Sequence, residues 1–239
     1  MRRGRKRLPA KVALITGAGR GIGRATAEAL AADGYAVVIA ELRADLGRRT
    51  ERALRKAGAH ALFVRTDVTS PASLDKAIRA AVRRFGRIDC LVNNAGVLTR
   101  GELAGLPVPD VEQMLAVNLR GPILFSRAVL PVMLRQRSGS IVNVASQLGQ
   151  VGMAEYATYC ASKFGVVGFT DAVADELAGT EIAVWAVCPG QVDTAMARRA
   201  GATAAERPGL IRPETVARVI AELATGRRRP KSGSAVDVS

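Results

Sequence analysis

Aromatic side chains make up only 4% of the 239 residues, with one tryptophan and three tyrosines, so a surface built to stack nucleic-acid bases is not expected. Histidine occurs once, and His60 precedes a strand-like run, which gives it no catalytic context. The three cysteines, Cys90, Cys160 and Cys188, are widely spaced and form no Cys-x-x-Cys pair. That spacing argues against a disulfide framework or a zinc site, and it points to a reducing, cytoplasmic setting with no metal. Long apolar runs are missing too. Behind the basic start from Met1 to Arg7, only Val12 to Ile15 is continuously apolar, so neither a leader nor a membrane span is expected. No internal repeat, long linker or second domain can be read.

Positive charge is plentiful, with a formal net charge of +14. Much of it stands in the two ends: Arg2, Arg3, Arg5, Lys6, Arg7 and Lys11 in one, Arg227, Arg228, Arg229 and Lys231 in the other. The body between them is mildly basic. Arginine far outnumbers lysine, which a GC-rich coding bias explains as readily as an anionic partner, so the ends read as solvated tails and no nucleic-acid or membrane partner is expected. Residues 1–10 are expected to be a disordered arm, 11–226 a single domain carrying both cofactor and substrate sites, and 227–239 a polar tail with at most a stub of a last strand at Ala235 to Val238.

Within the body, short apolar strands alternate with amphipathic helices. Strands are predicted at Lys11 to Ile15, Ala36 to Ala40, Ala61 to Arg65, Ile88 to Val92, Ile141 to Ala145 and Ile182 to Val187. Helices are predicted at Gly21 to Asp33, Leu46 to Ala57, Ser73 to Phe85, about Val108 to Arg135, Tyr156 to Leu177 and about Glu214 to Thr225. Repeated βα units imply an α/β fold, a Rossmann-like doubly wound parallel sheet with helices on both faces.

The first turn, Thr16-Gly-Ala-Gly-Arg-Gly-Ile-Gly23, runs from a strand into a helix. A helix N-terminus fronted by glycines can seat a pyrophosphate on free backbone N–H groups. The spacing is Gly17-x-x-x-Gly21-x-Gly23 with Arg20 and Ile22 inside it, not the commoner G-x-G-x-x-G. A ligand-free tight turn is the alternative. Glu41, twenty-four residues after Gly17, can accept from both ribose hydroxyls and would repel a 2′-phosphate, which leans towards NAD. Arg20 and Arg43 pull towards NADP. Further on, Tyr159 and Lys163 stand four apart, so a helix would raise both from one face. A cation beside a phenol favours its ionised form, and a lowering by two or three units would correspond to roughly 3–4 kcal/mol. Ser146 follows an apolar run, at the sheet edge where parallel sheets carry ligands. Tyr156 competes with Tyr159, but its i+4 residue is Cys160, which is no cation. Cys188 reads as a packed small residue.

These motifs together, from Lys11 to Met196, resemble the classical short-chain dehydrogenase/reductase family. The resemblance rests on Thr16 to Gly23, Asp67, Asn93-Asn-Ala-Gly96, Asn118, Ser146, Tyr159-x-x-x-Lys163, and Pro189-Gly190 followed by Thr194. It implies Tyr159 as general acid/base and Lys163 as the group that lowers its pKa and binds the nicotinamide ribose. It also implies Ser146 on the substrate oxygen and Asn118 holding a water that links Lys163 to solvent. Asp67 with Val68 would contact the adenine edge, Asn94, Ala95 and Gly96 would line the adenosine side, and Val192 with Thr194 would hold the carboxamide beyond Pro189 and Gly190. The implied function is hydride transfer between NAD and a secondary alcohol or ketone. An NADPH-dependent ketone reductase is the alternative, and a non-catalytic dinucleotide- or polyanion-binding protein the rival of another class. Residues 196–212 read as a short, mobile substrate lid. The family's usual Asp-Gly-Gly-like ending is absent, which favours a homodimer through the long helices and leaves a tetramer only possible.

Overall fold

The computed structural model describes residues 11–201 and 209–239. The basic arm at 1–10 and the middle of the expected lid lie outside the described residues. Seven strands form one parallel sheet in the order β3-β2-β1-β4-β5-β6-β7. They are β1 Val12–Thr16, β2 Ala36–Glu41, β3 Ala61–Arg65, β4 Cys90–Asn93, β5 Gly139–Val144, β6 Ile182–Pro189 and β7 Ala235–Val238. The order reverses between β1 and β4, and there the strand ends part to leave a crevice.

Helices α1 Gly21–Ala32, α2 Ala44–Lys56, α3 Pro71–Phe85, α4 Val108–Leu115, α5 Gly121–Gln136, α6 Ala157–Glu176, α7 Ala195–Arg199 and α8 Pro213–Thr225 connect the strands. Alternation along each strand divides the core. Ile15, Ile39 and Val187 face one side with Leu30 of α1, Leu54 of α2 and Ile220 of α8. Leu14, Val38 and Val184 face the other with Leu74 of α3, Phe125 of α5 and Val173 of α6. Local signals set the helix ends: Ser70 caps α3 before Pro71, while Gly86 and Gly226 end α3 and α8 in the left-handed region.

Two expectations need correction. The helix predicted at about 108–135 is interrupted, because Ala116–Arg120 winds as a π-helix and the Gly121 N–H bonds the Ala116 carbonyl five residues back. Pro122 has no N–H to give Asn118 four residues earlier, so the regular ladder cannot run through this point. Taken as one stretch, Val108–Gln136 is also long and apolar enough to cross a bilayer, with mean hydropathy 1.2; half of that window is buried, as in a core helix.

The other correction concerns the end of the chain. The expected stub at Ala235 to Val238 is there as β7, but residues 227–234 do not trail as a solvated tail. Arg227 makes two 2.8 Å bonds to Asp33 at the end of α1, the Trp185 indole donates to the Pro230 carbonyl, and Ser232 accepts from Val184 N at 3.0 Å. Then β7 pairs with β6 over four residues, Ala186 to Pro189. Polar residues there face partners on β6 and α1 that no local pattern announces.

Candidate active site

At the carboxyl edge of the sheet lies a cavity of about 1100 Å³. Its floor comes from the strand ends in turn. The β1–α1 turn brings Gly17, Arg20, Gly21 and Ile22; Glu41 ends β2, and Asp67 and Val68 follow β3. Asn94, Ala95 and Gly96 follow β4, Ser146 follows β5, and Pro189, Gly190, Val192 and Thr194 end or follow β6. Tyr159 and Lys163 enter from α6. Of the predicted site residues, Gly23 and Asn118 alone do not line it.

Gly23 lies beneath the turn, where a Cβ would come within 2.4 Å of both Asn94 Nδ2 and the Gly17 carbonyl. Its smallness lets α1 start against the β4 loop. Thr16 makes the joint: its hydroxyl accepts from Asn94 N and Ala95 N, both at 2.9 Å, and donates to the Val92 carbonyl at 3.4 Å. Asn94 Nδ2 returns to the Thr16 carbonyl at 2.9 Å. In the sequence Thr16 stands only at the head of a motif; the signal for its role is a hydroxyl at the last strand position.

Helix α1 has no side-chain cap and no acidic residue in its first turn, and Gly17 and Gly21 hold positive φ. Its first N–H groups are thus left for a ligand facing the cavity, a fit to the pyrophosphate of a dinucleotide. Beside them the Glu41 carboxylate accepts from Gly19 N and Arg43 N, each at 3.0 Å. A Cβ on residue 19 would fall 2.7 Å from that carboxylate, so glycine is required for the carboxylate to sit there. Arg43 turns away and pairs with Asp45 at 2.9 Å, while Arg20 is exposed. The Asp67 carboxylate is fixed by the Thr69 N–H and hydroxyl at 2.9 and 2.7 Å.

In the reactive corner, Tyr159 and Lys163 do share a face of α6, yet the ammonium lies over the Tyr159 ring, 5.6 Å from its centroid, and donates to the Val144 carbonyl at 2.8 Å. Burial pushes the Tyr159 phenol up to about 12, against a smaller lowering by the neighbouring Ser146 hydroxyl. Burial also lowers Lys163 to about 8. The expected lowering of the phenol by its lysine is therefore absent from the protein alone, because desolvation dominates and the cation spends its bond on Val144. The Ser146 hydroxyl also accepts from Leu148 N at 3.1 Å.

Asn118 is 1% exposed. Its amide brackets Val97, accepting from the Val97 N–H at 2.8 Å and donating to its carbonyl at 2.9 Å, and donates to the Ser162 hydroxyl at 3.2 Å. Both amide protons are used, so this side chain ties the β4 loop to α6. Thr194 caps α7 by accepting from Ala197 N at 3.2 Å. Val192 pairs with Ile211 through its neighbours' amides, which leaves its own N–H and carbonyl on the other side. Cys188 and Cys90 are buried thiols pushed up to about 11 and about 12 by desolvation, as suits packing residues.

The short chain dehydrogenase family model matches residues 11–205. A 3-oxoacyl-[acyl-carrier-protein] reductase of Thermotoga maritima is 37% identical over 243 residues, covering 97% of each chain. Galactitol 2-dehydrogenase of Agrobacterium fabrum is 43% identical over 188 residues, 78% of this chain and 72% of that protein. Among solved structures, levodione reductase superposes with a TM-score of 0.91 at 29% identity, over 98% of this chain and 97% of that one.

Proposed function

The chain belongs to the short-chain dehydrogenase family, an NAD(P)-dependent oxidoreductase acting on alcohols or ketones, and on that footing we propose that Tyr159 is its general acid/base and NAD its preferred cofactor. The single observation that carries this reading is the meeting of Ser146, Tyr159 and Lys163 in one cavity with the uncapped N-terminus of α1.

The nicotinamide, when bound, supplies the hydride acceptor or donor. The protein does the rest. The Ser146 hydroxyl holds the substrate oxygen against Tyr159, whose phenolic oxygen takes the alcohol proton during oxidation and returns one during reduction. Lys163 binds the nicotinamide ribose, and its positive charge offsets the phenolate. Asn118 has no amide proton left for a water, so in the proton exit its main-chain carbonyl serves, the one that Pro122 cannot satisfy. Thr194 and the Val192 backbone hold the carboxamide, and Asp67 with Val68 the adenine edge. Glu41 reads the ribose hydroxyls. A 2′-phosphate would meet a carboxylate already anchored by two N–H groups, with Arg43 committed to Asp45.

Exposed Leu115 and Phe164, on α4 and α6, support a homodimer through the long helices. Three buried, unbridged thiols suit a cytoplasmic protein.

The test is fluorescence titration with NADH and NADPH, followed by turnover of Tyr159→Phe. NADH is expected to bind more tightly, and the variant to lose kcat by about a hundredfold or more with cofactor affinity kept. Full activity in the variant would sink the mechanism. Tighter NADPH binding would hand the ribose site to Arg20.

A further inference from the structure

Resting on the hydride-transfer reading above, we propose that the substrate is an uncharged, largely apolar alcohol or ketone, and that Gln147 selects those carrying a second neutral oxygen near the reacting carbon.

Charge is divided unevenly along the cavity. Arg20 and Arg43 stand in the turns beside Glu41, and Arg24 and Glu28, paired with each other on α1, also line the cavity. Beyond Tyr159 the ionic groups among the described residues are engaged or peripheral. Lys163 is bound to Val144, Arg198 pairs with Asp193 at 2.6 Å, and Glu214 is exposed in the first turn of α8. Arg100 pairs with Glu155 in a flanking hollow of about 500 Å³, beside exposed Arg199. A carboxylate placed next to the reacting carbon would lose its water and, among the described residues, gain no free cation there.

What lines that end is apolar. Val151 is 57% exposed and Met153 55%, yet both line the cavity, together with Leu98, Tyr156 and Met196. Large apolar side chains left open to a cavity beside a reactive hydroxyl pair fit the hydrocarbon body of a ligand.

Gln147 is the polar exception. It follows Ser146 directly, lines the cavity, and makes no side-chain hydrogen bond among the described residues. Its carboxamide lies against Gly190, where a Cβ would come within 3.1 Å of Oε1; glycine there leaves room for the amide. A primary amide offers donors and an acceptor but no charge; Gln147 is exposed in the protein alone, so it recognises a neutral oxygen, and discriminates against substrates that leave it unpaired, once a bound substrate displaces its water.

The experiment measures kcat/KM of the full chain with NADH and with NADPH on a linear monoketone, a diketone and a keto acid of one chain length. The expected order is diketone, monoketone, keto acid, with at least about tenfold between the first and last. Gln147→Leu is expected to lower kcat/KM for the diketone by about ten- to hundredfold and to bring the two neutral ketones within about twofold of each other, its melting temperature reporting on the fold. Met153→Lys, which sets a cation in the apolar wall, is expected to raise relative use of the keto acid. Preference for the keto acid in the parent protein would overturn the proposal in favour of Arg100 and Arg199. An undiminished diketone preference in Gln147→Leu would overturn the role of that residue. Turnover of none of the three with either cofactor, NADH binding being retained, would overturn the hydride-transfer reading itself and this inference with it.

Discussion

Lys163 is only 4% exposed and has one hydrogen bond, to a neutral carbonyl, so the folded protein keeps a cation where hydration is poor. Its folded pKa of about 8 lies below the ordinary 10.5, and the sign follows. The unfolded chain holds that proton more tightly, so the cost of burying the charge is full below about pH 8 and fades as pH rises towards 10.5; this group's contribution to stability climbs across that window. Tyr159 acts in the opposite sense. Its folded pKa of about 12 exceeds the ordinary 10.0, so its contribution is intact below pH 10 and is lost between 10 and 12. Lys163→Met should therefore stabilise the cofactor-free protein at pH 7 by about 1–3 kcal/mol, erase the climb above pH 8 and abolish turnover. Denaturant titrations from pH 7 to about 11 check the first two effects. A variant less stable than the parent at pH 7 would contradict them. That the two side chains share a helix face was legible in their spacing. The direction of the ammonium was not, because the Val144 carbonyl that receives it ends β5, nineteen residues away.

Between elements, the glycine turn and the β4 loop are joined through the Thr16 hydroxyl and the Asn94 amide. Replacing Thr16 by Val keeps the shape but leaves the Asn94 and Ala95 N–H groups without their acceptor, at about 1–3 kcal/mol for each group that water cannot reach. The expected result is a lower melting temperature together with weaker NADH binding, and Thr16→Ser should restore both. Loss of stability with cofactor affinity untouched would separate the joint from the site. Strands and helices were readable here because each carries its own period: β2 is buried throughout, as a central parallel strand requires, and α3 shows its Ser70, Pro71 and Gly86 signals locally. The π-helical turn at Asn118 was readable in principle from Pro122, four residues on. It was missed because a helix can also carry proline without widening, as α5 does at Pro131.

For the molecule as a whole, the last strand ties the sheet edge to the cavity. Val236 and Val238 are buried, and the Val238 carbonyl accepts from Gly190 N at 3.1 Å. Deleting residues 235–239 should cost about 3–6 kcal/mol from two buried valines alone and should weaken cofactor binding through Gly190. Arg227→Ala removes a surface pair that water and salt screen, and should scarcely move the melting temperature. Thermal unfolding and NADH titration of both variants check the contrast; equal losses would mean that the Asp33 pair, not β7, holds the end. The basic composition of 227–231 hid this docking, since its partners stand on β6 and α1. The same docking has a consequence for the order of synthesis. Asp33 and Arg227 are 194 residues apart, and α1 buries its apolar side against α8. At roughly 5–20 residues per second, the first βα unit waits on the ribosome for on the order of ten to forty seconds before its cover is made. Through that interval Leu30 and its neighbours are open to chaperones, and the cradle for the dinucleotide is completed only once α8 and β7 have emerged from the exit tunnel.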